Sequence, residues 1–129
     1  MAIPSGSGSE ILRTGIQGTV SNSFLDLITG VNNHIYTVLS ITVLEKDNLT
    51  THTFNLALYD GSNHYWIIRE QSLPSKGTFI FNDKLVINGA DLNTITSGTN
   101  NWKLQVKSTT AANSGGLAVV CSYIDQDWT

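Results

Sequence analysis

The longest run suited to a pleated surface is His34 to Leu44, HIYTVLSITVL, where Ile, Val, Leu, Thr and Tyr dominate and no Gly, Pro or Asp intervenes. It predicts a strand. Counting by twos puts Ile35, Leu39, Ile41 and Val43 on one face and Tyr36, Val38 and Leu44 on the other. Neither face is polar enough to lie fully in water, so the strand is expected at the centre of a sheet.

Other segments alternate in the same way. Phe24 to Ile28 is a short apolar stretch, and Thr53 to Leu58 sets Phe54, Leu56 and Leu58 on one face. His64 to Glu70 sets Trp66 and Ile68 against Tyr65, Ile67 and Arg69, and the intervening Asp60-Gly61-Ser62-Asn63 predicts the turn of a hairpin. After the break at Leu73 to Gly77, further strands are expected at Thr78–Phe81 and Lys84–Ile87, with a turn over Asn88 to Asp91 and a polar stretch to Asn101. Trp102, Leu104 and Val106 alternate inward against Lys103, Gln105 and Lys107, and Leu117 to Ile124 reads as a last apolar strand. Asp125 to Thr129 then forms a short acidic, aromatic tail.

At the other end, residues 1–9 carry Pro4 and alternating Ser and Gly, and are expected as a flexible arm, native or an added linker. Glu10 to Arg13 resumes an extended character, with a bend bracketed by Gly15 and Gly18. About eight short strands without a helical period predict an all-β fold. Residues 10–129 are expected to form a single antiparallel β-sandwich or jelly roll. No fixed repeat indicates a propeller or solenoid.

Composition narrows the function more than the fold. At 129 residues the chain suits one domain able to bury about two thirds of its unfolded surface, with no need of a staple. Charged residues make up 13% and the net charge is -3, so a phosphate backbone would be repelled and nucleic acid is not an expected partner. The single Cys121 lies in an apolar run and is read as a small core residue. With neither a secretory pattern nor a run of about eighteen apolar residues, the chain is expected to be soluble, made in a cytoplasm and not a membrane protein. Without that secretory pattern, the acceptor pattern Asn48-Leu49-Thr50 carries little weight.

Candidate chemistry is sparse. His34, His52 and His64 show no metal-ligand spacing and are read as strand-edge or turn residues, so neither metal nor cofactor is expected. Asp125 and Asp127 fall on one side of an extended chain, yet at a chain end beside Trp128 they fit a solvated tail or an interface contact better than an acid/base pair. No nucleophile elbow, P-loop or dinucleotide fingerprint is present, so no catalytic residue is assigned and an enzyme is not expected. Tyr36, Tyr59, Tyr65, Trp66 and Trp102 are read first as sandwich core. The alternative is a stacking platform for a sugar ring on Trp66, Tyr65 and Tyr59.

The order of an SGSGSEILR arm, a long HIYTVLSITV strand, SLPSKGTFIFNDKLVINGADL and a closing VVCSYIDQDW resembles small virion structural proteins of tailed bacteriophages. In those, a "Leu-Pro-x-x-Gly-Thr-Phe … Leu-Val-Ile-x-x-x-Asp-x-Leu" segment forms the middle hairpin of a β-sandwich. The likeness spans most of the chain and departs from the pattern at the polar insert Asn93 to Asn101. It implies a non-enzymatic capsid decoration or cement protein, or else a tail or fibre component that binds a carbohydrate or receptor. The implied partners are a major capsid protein or further copies of the chain, a homotrimer among them, on a virion assembled in a bacterial cytoplasm. Ile3, Pro4, Glu10, Ile11, Leu12 and Arg13 are the expected docking segment, with Asp127 and Trp128 at the opposite terminus.

Overall fold

The computed structural model describes residues 9–31, 33–46, 52–89, 102–109 and 116–127, and every regular element among them is a strand. In chain order these are β1 (Ser9–Val20), β2 (Leu25–Thr29), β3 (His34–Glu45), β4 (His52–Tyr59), β5 (His64–Leu73), β6 (Thr78–Phe81), β7 (Leu85–Asn88), β8 (Lys103–Ser108) and β9 (Leu117–Asp127). One sheet runs β1-β9-β3-β6, with β7 also on β3, and the other runs β2-β8-β4-β5. All pairings are antiparallel. β1 pairs β9, β2 pairs β8, β3 pairs β6 and β7, and β4 pairs β5. The chain is thus a long hairpin, nested from its ends inward, wrapped so that alternate pairs fall in opposite sheets.

The two sheets enclose one core in which Phe54, Leu56, Ile41, Val43, Leu104, Val106, Val119 and Cys121 are all buried. At one seam β1 lies hard against β2. A Cβ on Gly15 would stand 2.6 Å from the Leu27 carbonyl oxygen, and the Gln17 side-chain amide donates to the Asp26 carbonyl at 2.8 Å. At the other seam Phe54 and Phe79 meet edge to face, 5.5 Å between centroids. The predicted hairpin turn is present. Asp60 Oδ1 accepts from the N–H groups of Asn63 and Ser62 at 2.7 and 2.8 Å, which holds its carboxyl below the usual carboxylate range.

Three expectations need correction. The stretch through Gly15 and Gly18 is no bend: it belongs to the twelve-residue strand β1, with its irregularity confined between Gln17 and Val20. Pairing with β9 satisfies the backbone there, so glycine is tolerated. Ser9 accordingly belongs to β1 rather than to an arm, and residues 1–8 lie outside the described residues. Asp125 to Asp127 are no solvated tail but the end of β9, paired on both sides.

The third correction concerns the inward face of β3. Val38 pairs with Tyr123 and Ser40 with Ser122, so Leu39 is an extra residue, a β-bulge. The bulge reverses the alternation. Tyr36 and Val38 point into the core before it, Ile41, Val43 and Glu45 point in after it, and Leu39 is left 46% exposed.

The phase change carries Glu45 inward. There its carboxylate Oε2 meets Nδ1 of His52, and both side chains are buried. Among the described residues His52 Nε2 has no hydrogen-bond partner. Gly116 leaves the space for the ring, since a Cβ there would stand 2.6 Å from His52 Cε1. His52 is therefore an inter-sheet core residue, not a strand-edge residue as its spacing indicated.

Two consequences are measurable by urea denaturation. Ile41→Ala should cost about 2–5 kcal/mol and Leu39→Ala within about 0.5 kcal/mol, whereas the unbulged alternation makes both costly. His52→Leu alone should cost about 3–5 kcal/mol by removing the ring that meets the buried Glu45 carboxylate, and Glu45→Leu/His52→Leu should recover part of it. Additive losses would contradict a coupled pair.

Candidate interaction surfaces

The sheet containing β9 turns one face to the core and the other outward. Cross-strand pairing sets the outward residues in rows across the sheet: Leu12, Ile124, Thr37 and Val86; then Thr14, Ser122 and Ser40; then Ile16, Val120, Thr42 and Ile80. A further row is Ala118, Leu44 and Thr78. None of these side chains is charged. Leu12, Ile16 and Ile80 are 69%, 62% and 59% exposed. Four strands about 4.8 Å apart and about nine residues long give a face on the order of 500 Å² in plan. Exposed aliphatic side chains gathered on one uncharged face mark a candidate contact surface.

Charge is gathered instead at the end of this sheet. Asp125, on the core side and nearly buried, accepts from Arg13 Nε at 2.8 Å and meets His34 Nδ1 at 2.6 Å, while His34 Nε2 lies 3.6 Å from Asp127. The Arg13 guanidinium and the hydrogen bond with His34 offset the cost of burying that carboxylate. Burial pushes the phenols of the neighbouring Tyr36 and Tyr123 above their usual range. Tyr36 also ties the sheets together, its hydroxyl accepting from the Val31 N–H at 3.0 Å. A His–Asp pair orients an imidazole, but the only thiol of the chain is buried and pushed up to about 12, so it supplies no thiolate at neutral pH. No group of three metal-ligating side chains occurs among the described residues.

The outer face of the second sheet is aromatic. The His64 ring is stacked between Phe24, 3.9 Å away, and Tyr59, 4.4 Å away. Trp66 lies beside them with its ring 5.9 Å from Phe24 and is 40% exposed. The expectation that the aromatics are core therefore fails for Trp66 and Tyr65, both exposed, and holds for buried Tyr36.

The candidate residues divide among these surfaces. Leu12 projects onto the apolar face, Glu10 reaches Gln126 at its margin, and Arg13 joins the Asp125 cluster with Asp127. Ile11 sits at the exposed edge opposite Asp125. Ile3, Pro4 and Trp128 lie outside the described residues, as do Asn48 to Thr50 and Asn93 to Asn101. Trp66 and Tyr59 share the aromatic face, but Tyr65, the next residue along β5, points the other way and packs on Trp102 at 5.8 Å. Sequence reading missed Phe24 and Lys107, which come from a loop and from β8 and are joined to Trp66 by no local spacing, whereas His64 lies two residues before Trp66 on β5 and so on the same face.

No protein-family model matches the chain, and no curated protein matches it by sequence. Among solved structures it is similar to a chain of the T13 particle of IBDV (TM-score 0.54, 13% identity) over 92% of its length, and it spans only 31% of that chain. It is also similar to a chain from the acid-stable capsid of Helicobacter pylori bacteriophage KHP30 (TM-score 0.52, 10% identity, 95% of this chain and 94% of that one). A third likeness is to a Bacillus endospore appendage, of a family of disulfide-linked pili (TM-score 0.50, 10% identity, 100% of this chain and 97% of that one). At these identities the shared property is the fold.

Proposed function

We propose that this chain is a non-enzymatic virion structural protein, of the capsid decoration or cement type, synthesised in the cytoplasm of a bacterial host. Its nested strand order reads as a jelly roll, an architecture that viral capsid domains use. The likeness to chains of two viral particles supports that reading. A disulfide-linked appendage fits less well, since the one cysteine of the chain is buried.

The observation that carries the proposal is the uncharged outer face of the β1-β9-β3-β6 sheet. A soluble β-protein with one sheet face packed on its core ordinarily places polar side chains on the other. Here that position holds Leu12, Ile16, Ile80, Ile124 and Val120 among Thr and Ser. Such a face loses little on desolvation and repels neither a copy of itself nor an apolar capsid surface. Glu10, Ile11 and Arg13 on the edge strand form its rim, and Ile3 and Pro4, earlier in the sequence, belong to the same proposed docking segment. A closed homo-oligomer such as a trimer, seated on a major capsid protein, satisfies these requirements.

The test is a Leu12→Glu/Ile16→Glu variant. Both side chains are exposed, so its urea midpoint should stay that of the parent chain. The parent should sediment as an oligomer and appear in purified particles in copy numbers set by the shell's symmetry. The variant should sediment as a monomer and be lost from particles. Unchanged particle binding by the folded variant would contradict the proposal.

A further inference from the structure

We infer that the outer face of the β2-β8-β4-β5 sheet is a binding platform for an acidic saccharide. It lies on the opposite sheet from the proposed contact face and does not depend on that reading. Two features of the platform point to a ligand: its floor is held in place before anything binds, and two cations lie over its rings.

The floor is fixed by a hydrogen-bonded relay. The buried Gln105 donates its side-chain N–H to Asp26 Oδ1 at 2.7 Å, and its Oε1 meets His64 Nε2 at 2.9 Å. With Gln105 so oriented, His64 Nε2 is the donor to its Oε1. The imidazole, clamped on both faces by Phe24 and Tyr59, cannot turn. Trp66 stands next to it, 6.3 Å between ring centroids, with its indole open to solvent. The apolar C–H face of a pyranose packs on such an indole, and a pre-ordered ring wall spares the entropy of assembling the site.

Charge then selects among sugars. The Arg69 guanidinium lies 5.5 Å from the Trp66 ring centre and the Lys107 ammonium 4.8 Å from the Phe24 ring centre. Among the described residues neither has a carboxylate partner, whereas Lys103 is paired with Asp26 at 3.6 Å. Arg69 over the Trp66 ring and Lys107 over the neighbouring Phe24 ring, in a chain of net charge -3, fit a carboxylate carried on the sugar ring, as in a uronic or sialic acid. Single-stranded nucleic acid also uses aromatic rings and cations, but it needs a basic track along its backbone, and only seven basic residues are scattered over the whole chain.

The experiment is isothermal titration of the full chain with a hyaluronan tetrasaccharide, sialyllactose, the neutral sugars maltotetraose and lactose, and a thymidine oligonucleotide. At least one acidic sugar should bind about fivefold or more tighter than its neutral counterpart. Trp66→Ala should weaken binding at least about tenfold while the thermal unfolding midpoint stays put. Arg69→Gln/Lys107→Gln should remove the preference for the acidic sugar and leave residual binding to the neutral one. Silence with both acidic sugars, neutral sugars bound equally well, indifference to Trp66→Ala, or tighter binding of the oligonucleotide would each overturn the inference.

Discussion

The structure depends on the double pairing of β9. All eleven of its residues pair with β3 on one edge, and all but Ala118 pair with β1 on the other. A strand held on both sides cannot slip by one residue without turning its core face to solvent and every neighbour's with it. That register places Tyr123, Cys121 and Val119 against the core. It thereby commits Ile124, Ser122 and Val120 to the outside, together with Leu12, Thr14 and Ile16 of β1. The uncharged outer face is a consequence of this register rather than a separate feature.

Charge is distributed accordingly. With 13% charged residues there are few ions to place, and several of them are drawn into inward-facing pairs at opposite ends of β3. Glu45 and His52 join the sheets at one end, and Asp125, His34 and Arg13 close the other. Between them the outward rows stay neutral. The second sheet differs: its outer surface carries rings with cations over them, so the two broad faces of one small sandwich present different chemistries.

Much of the fold is legible in the sequence because a two-residue period is a direct record of pleating. Phe54, Leu56, Leu104 and Val106 are buried where alternation placed them, and Asp60 to Asn63 forms the turn its residue types require. What was illegible has physical causes. The bulge at Leu39 leaves no mark, since the residues on either side are apolar in both phases and no glycine announces it. β1 was obscured by Gly15 and Gly18, whose weak strand propensity is overridden by pairing with β9 and by the tight approach to Leu27. The contact surfaces were half visible. Leu12 and Trp66 were picked out as single residues, but the rows and stacks that give them meaning join β1, β9, β3 and β6, or Phe24 with β5 and β8. Only the register reveals such neighbours.

The central claim is that a neutral sheet face, fixed by β9, is the surface on which this protein meets other proteins. Hydroxyl-radical footprinting of the chain in its native particle and in free solution addresses it most directly. Leu12, Ile16 and Ile80 should lose most of their labelling in the particle, while Trp66 on the opposite sheet should keep its own. Equal labelling of the three aliphatic residues in both states would contradict the claim.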